Sequence, residues 1–248
     1  LLGAIADDSM EGRGTATPGS ARAARFIAAE LARYGVQPAG DSGFFQRVPV
    51  AFTSRNGVRQ LTLLSTLAAR DNVPAADRAN AVNVVGVIPG SDPALRDQVV
   101  LIDAHYDHLG MQHGQAGDSI YNGADDDASG VVAVMEIARS LAAGPPPKRT
   151  VVVAATTGEE VGLLGACSDS GAITGVSRVL PSLNVADDIE THAHIGSPQL
   201  RYGLEQKVHA FLRNDLTDEN HAPSHGLTRK PRVRSSGNGV EDDARFPL

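Results

Sequence analysis

The sequence predicts an α/β domain with a mixed, mainly parallel central sheet flanked by helices. Three observations predict it. Residues 82–88 (VNVVGVI), 98–104 (QVVLIDA) and 149–156 (RTVVVAAT) are nearly continuous β-branched runs bounded by turn residues, as strands covered on both faces should be. The last two runs are separated by a long connection holding a helix, the layout of a βαβ unit. Clusters of carboxylates and imidazoles stand directly after these two runs, at the sheet edge where open α/β folds bind ligands.

The elements follow in order. The stretch TPGSARAARFIAAELARYGVQPAG contains a helix, with Pro18 near its start, Ala23, Phe26, Ile27, Leu31 and Tyr34 at helical spacing, and Gly35 suited to the position after its end. Residues 44–52 (FFQRVPVAF) and 60–65 (QLTLLS) read as short strands, the first an edge or irregular strand because of Pro49. In DASGVVAVMEIARSLAAG, Val131, Val134, Met135, Ile137, Ala138 and Leu141 mark a second helix, stopped by the following GPPPKR. SRVLPSLNVAD (177–187) is compatible with one further strand, whereas residues 189–248 are polar and weakly periodic.

Composition narrows the function. A formal charge of −7 on 248 residues, with a pI of about 5.6, argues against a nucleic-acid partner, and the short basic stretch Arg229 to Arg234 does not reverse this. No apolar run approaches the roughly 18 residues that span a bilayer, so no membrane partner is expected. The chain opens LLGAIADDSM, without a basic leader, so Leu1 reads as a cut or processed start. The single Cys167 excludes an intramolecular disulfide and is expected to be a small structural residue. Oligomeric state is left open.

Three clusters carry the chemistry: AHYDH (104–108), NGADDDASG (122–130) and TTGEE (156–160). Carboxylates gathered in one crevice repel one another, and a divalent cation relieves the repulsion; histidine and carboxylate donors together favour zinc or a similar metal. Adjacent Glu159 and Glu160 point in different directions, so one can ligate while the other works as a general base. Asp127 or Ser129 can cap the helix that follows, and His108 reads as a wall of the pocket or a partner of the ligands. There is no G-x-S-x-G elbow for a serine hydrolase and no G-x-G-x-x-G for a dinucleotide.

DAHYDHLG, NGADDDASG and TGEEVGLLG, in this order and spacing, resemble the di-zinc aminopeptidase family, metallo-exopeptidases related to bacterial leucyl aminopeptidases, glutamate carboxypeptidase and the transferrin receptor. The lead-in DDSMEGRGTATPGSARAARFIAAELARYGVQPAG resembles that of the bacterial members, so the likeness covers about residues 1–166 of one 248-residue domain. The resemblance implies a zinc-exopeptidase-like three-layer sandwich and two zinc ions. It makes His105 a ligand of one metal, Asp107 the carboxylate that orients it, Asp126 the bridging ligand, Glu159 the general base and Glu160 a ligand of the other metal. It places a further ligand at Asp187, with Asp188 as the fallback in register. The substrate implied is a peptide, and the location extracytoplasmic (secreted or periplasmic).

Two departures set limits on that likeness. After GLLG the sequence runs ACSDSGAITGV where the family has an Arg and aromatics, and residues 167–248 are either divergent or incomplete. The family's last ligand, a histidine in a late loop, is not matched by His192, His194, His209, His221 or His225 and is expected by spacing beyond Leu248. Two rivals therefore stand beside the aminopeptidase: a single-zinc acyltransferase like a glutaminyl cyclase, and a non-catalytic binding module on the same fold.

Overall fold

A computed structural model describes residues 1–112, 114, 117–167 and 192–194. In chain order the elements are α1 (Leu2–Ile5), α2 (Pro18–Arg33), β1 (Gln37–Pro38), β2 (Phe45–Val48), β3 (Val50–Arg55), β4 (Val58–Leu63), α3 (Leu67–Asp71), β5 (Ala81–Ile88), β6 (Val99–His105), β7 (Gly110–Met111), β8 (Ile120–Tyr121), α4 (Ser129–Ala143), β9 (Thr150–Thr156), α5 (Leu164–Cys167) and β10 (His192–His194). The further strand expected over 177–187, with Asp187 and Asp188, lies outside the described residues.

The central sheet runs β1-β5-β9-β6-β10, with β2 also on β5. It is mixed, as predicted. β6 is parallel to β9 and β10, whereas β5 is antiparallel to β9, β1 and β2. Parallel pairing thus occupies the half of the sheet that carries the acidic motifs. Their continuous apolar text has a simple cause: every residue of β9 is buried, and alternate residues serve opposite faces. Val100, Ile102, Ala104, Val151, Val153 and Ala155 pack with Ala24, Ile27 and Leu31 of α2 and Val131, Val134 and Met135 of α4. Leu101, Val152 and Ala154 join Val85 and Val87 in a smaller cluster.

Both long helices start and stop where their punctuation stands. Thr17 Oγ1 accepts from Ser20 N at the head of α2, Pro18 occupies the first turn, and Gly35 follows the end at φ +83°. Asp127 Oδ1 accepts from the amide of Gly130 at 3.0 Å and so caps the first turn of α4.

One expected strand is two. Pro49 has no N–H to give a ladder, and the chain changes sheets there: β2 stays on β5, while β3 leaves to pair with β4 in a separate hairpin. The turn of that hairpin is Asn56-Gly57, both left-handed (φ +53° and +77°), the conformation that two-residue hairpins favour.

Candidate metal centre

β6 and β9 are parallel and in register through His105 opposite Thr156, so both end at the same edge. The ladder continues one step further, with the Tyr106 amide donating to the Thr156 carbonyl at 2.9 Å. The Tyr106 ring is buried and its hydroxyl donates to the Val82 carbonyl at 2.7 Å; burial pushes the phenol well above its usual range. His105, Asp107 and His108 therefore leave the sheet beside Glu159 and Glu160. The third motif arrives as the irregular turn Ala124–Ala128 ahead of α4, in which the Asp126–Asp127 peptide is cis.

The geometry divides around Asp126. His105 Nε2 lies 3.1 Å from Asp126 Oδ1, and its other nitrogen, Nδ1, faces Asp107, 3.2 Å from the carbonyl and 3.8 Å from the carboxylate. The fully buried Asp107 carboxylate accepts from the Thr15 hydroxyl at 2.7 Å and from the Glu159 amide at 3.2 Å. Burial raises its pKa, and the Thr15 bond opposes that shift in part. On the other side, His108 Nδ1 lies 2.7 Å from Glu160 Oε1. One ligand atom from each of His108, Asp126 and Glu160 falls within 4.8 Å of the others.

Of the residues predicted from sequence, His105, Asp107, Asp126, Glu159 and Glu160 all stand at this edge, and Asp187 lies outside the described residues. Glu159 is fixed through its backbone: its amide meets Asp107, and its carbonyl accepts from Gly162 and Leu163. His108, read from sequence as a wall of the pocket or a partner of the ligands, lines the cavity and lies against Glu160.

The structure also adds Arg13. This side chain is fully buried, and its guanidinium donates to four carbonyls: Tyr106 (2.7 Å), Ile5 (3.0 Å), Asn122 (2.6 Å) and Gly123 (2.8 Å). One residue thus ties the end of β6 to the loop that carries Asp126. The only sequence signal was an arginine between glycines in EGRG, beside acidic motifs that lack other cations.

The residues fit zinc. One imidazole and two carboxylates, from His108, Asp126 and Glu160, offer ligand atoms within 4.8 Å of one another, and a second imidazole, His105, stands 3.1 Å from the same Asp126; these are nitrogen and oxygen donors of the kinds zinc takes. A cavity of about 430 Å³ opens beside them, lined by Glu11, Thr15, Leu109, Met111, His108 and Glu160 among others.

Comparison with known proteins agrees with the sequence motifs. The chain resembles Peptidase family M28, whose pattern matches residues 83–170. None of the curated proteins is detectably similar to it in sequence. Among solved structures, BSAP, a zinc aminopeptidase from Bacillus subtilis, is 13% identical, with a TM-score of 0.45 over 70% of this chain and 63% of that one. The LapA aminopeptidase of Legionella pneumophila is 16% identical, with a TM-score of 0.41 over 73% of this chain and 38% of that one. The Tannerella forsythia glutaminyl cyclase is 23% identical, with a TM-score of 0.39 over 62% of this chain and 45% of that one. The chain thus spans between 38% and 63% of the length of these structures.

Proposed function

We propose that the chain is a zinc-dependent aminopeptidase that removes N-terminal residues from peptides outside the cytoplasm. The supporting observation is the meeting of His105, Asp126, His108 and Glu160 at the shared carboxyl edge of β6 and β9, beside an open cavity. His105, Asp126 and Glu160 would hold zinc, with Asp187 as a further ligand. Asp107 orients the His105 ring from its Nδ1 side.

Zinc bound there supplies Lewis acidity, which makes a water acidic and a carbonyl electrophilic near neutral pH. The rest falls to the chain. Glu159 takes the proton of the attacking water and returns it to the leaving amine, and the Asp107 carboxylate, accepting its amide, fixes where that carboxyl starts from. The test combines zinc content of the dialysed chain with hydrolysis of aminoacyl p-nitroanilides. Glu159→Gln should lower kcat by roughly a hundred- to ten-thousand-fold and leave zinc content unchanged. Turnover that survives the substitution removes Glu159 from the role. Cyclisation of N-terminal glutamine peptides, without release of amino acids, would point to the acyltransferase instead.

A further inference from the structure

Building on the zinc reading above, we propose that His108 is the imidazole ligand of the metal that Glu160 holds, so that the tetrapeptide HYDH serves both metals. Both imidazoles stand near Asp126, His105 Nε2 at 3.1 Å from Oδ1 and a ring nitrogen of His108 within 4.8 Å of a carboxylate oxygen. His105 uses Nε2 toward Asp126 and turns Nδ1 back to Asp107, whereas His108 turns Nδ1 toward Glu160. Asp126, 64% exposed, is the carboxylate shared between them. The set His108, Asp126 and Glu160 is the group of donors that the described residues bring within reach of a single ion.

The placement of His108 does not depend on its contact with Glu160. Its amide donates to the Arg13 carbonyl at 3.3 Å, and its ring rests against Gly123. Gly123 is left-handed (φ +54°), and a Cβ there would stand 2.5 Å from Cδ2 of the ring, so the glycine is what allows the ring this close to the Asp126 loop. A ligand held by its surroundings meets a metal with little reorganisation. Charge points the same way. The cavity wall around His108 carries the carboxylates of Glu11 and Glu160 and no lysine or arginine among its described lining, and Glu11 is already paired with Arg22 at 2.8 Å. A cation at His108 balances Glu160 and adds to the buried Arg13 in balancing Asp126.

A hydrogen bond from His108 to Glu160 would also give a short contact, so the experiment must read the metal–nitrogen bond itself. The full chain, grown with isotope-labelled histidine and loaded with spin-active cadmium, is examined for through-bond cadmium–nitrogen coupling, with resonances assigned by His105→Ala and His108→Ala. Coupling at Nε2 of His105 and at Nδ1 of His108 is the expected result, together with a fall from two bound cadmium ions to one in His108→Ala. Coupling at His105 alone overturns the assignment and leaves the zinc reading standing. A chain that binds no cadmium overturns both. His108→Ala that keeps two ions makes His108 a hydrogen-bonding partner of Glu160 only.

Discussion

His105 and Asp107 leave β6 with the β9 ladder still running beneath them, as far as the Tyr106 amide on the Thr156 carbonyl. Asn122, Gly123 and Asp126 reach the same edge in a loop that leaves the two-residue β7–β8 ladder at Tyr121 and ends at the cap of α4. The first region is placed by backbone bonds of a buried sheet, and any residue type at those positions would be delivered there. The second is placed by the guanidinium of Arg13, which takes the carbonyls of Asn122 and Gly123 on one side and that of Tyr106 on the other. A centre assembled from both inherits its rigidity from the sheet and its closure from side chains, with Arg13 on the carbonyls of Asn122 and Gly123 and the Asn122 side-chain amide on the Ala6 carbonyl and Asp8.

Arg13→Ala is therefore the largest test of the contrast. It removes four charge-assisted hydrogen bonds, two of them to buried carbonyls, while the half-buried Gly123 carbonyl keeps the Ala128 amide; a loss of roughly 4 kcal/mol in urea denaturation is expected if each is worth about 1–3 kcal/mol and the losses are not fully additive. Arg13→Lys should recover less than half, because a single ammonium cannot span carbonyls set around a planar fork. A loss below about 1 kcal/mol would break the comparison, since the loop would then hold its place without the clamp.

The next test acts inside the loop. Gly123→Ala puts a Cβ at 2.5 Å from the Asp126 carbonyl and from the His108 ring, at a left-handed φ. About 2 kcal/mol of destabilisation is expected from strain and displacement together. Cadmium or zinc affinity should fall with it, more at the Glu160 side, where His108 is displaced together with the shared Asp126, than at the His105 side. Equal weakening of both sides would mean that the two regions move as one.

The same division decides what could be read from the sequence. The strands at 82–88, 98–104 and 149–156 match β5, β6 and β9 to within a residue at each end, because β-branched runs buried on both faces have few other places to go. The position of the acidic motifs after β6 and β9 was legible for the same reason. Arg13 was not. Its partners lie 93 to 110 residues further on for Tyr106, Asn122 and Gly123, and all are backbone carbonyls, which leave no trace in residue type. Pro49 marked an irregular strand, yet its effect, a change of sheet between β2 and β3, depends on which partners wait on each side. His108 read from sequence as a pocket wall or a partner of the ligands, and its contact with Glu160 and close approach to Gly123, which run across the chain, could not be read there.

On the sheet side the corresponding change is smaller. Tyr106→Phe deletes the bond from the hydroxyl to the Val82 carbonyl and keeps the ring that fills the core, so about 1 kcal/mol is expected, with metal affinity unchanged. The ladder from Tyr106 to Thr156 survives the substitution, and with it the placement of His105 and Asp107. A drop in metal affinity as large as that of Gly123→Ala would show that the strand-borne region also leans on single side chains.

The smallest effect is expected where the lead-in joins α2. The Thr17 hydroxyl donates to the Gly14 carbonyl at 2.6 Å and accepts from the Ser20 amide at 3.4 Å, so it links the segment holding Arg13 to the first turn of the helix. Thr17→Ala removes a cap whose accepting bond is already long, and roughly 0.5 kcal/mol, the low end for such caps, should be lost in urea denaturation; Thr17→Ser should restore it. Metal affinity should not change. Gly14 is held independently by its parallel β-bridge to His108, and Arg13 keeps its own carbonyl partners on both sides of the site. If metal affinity nevertheless falls in Thr17→Ala, the clamp is only as firm as the helix behind it, and the loop-borne region extends back into α2.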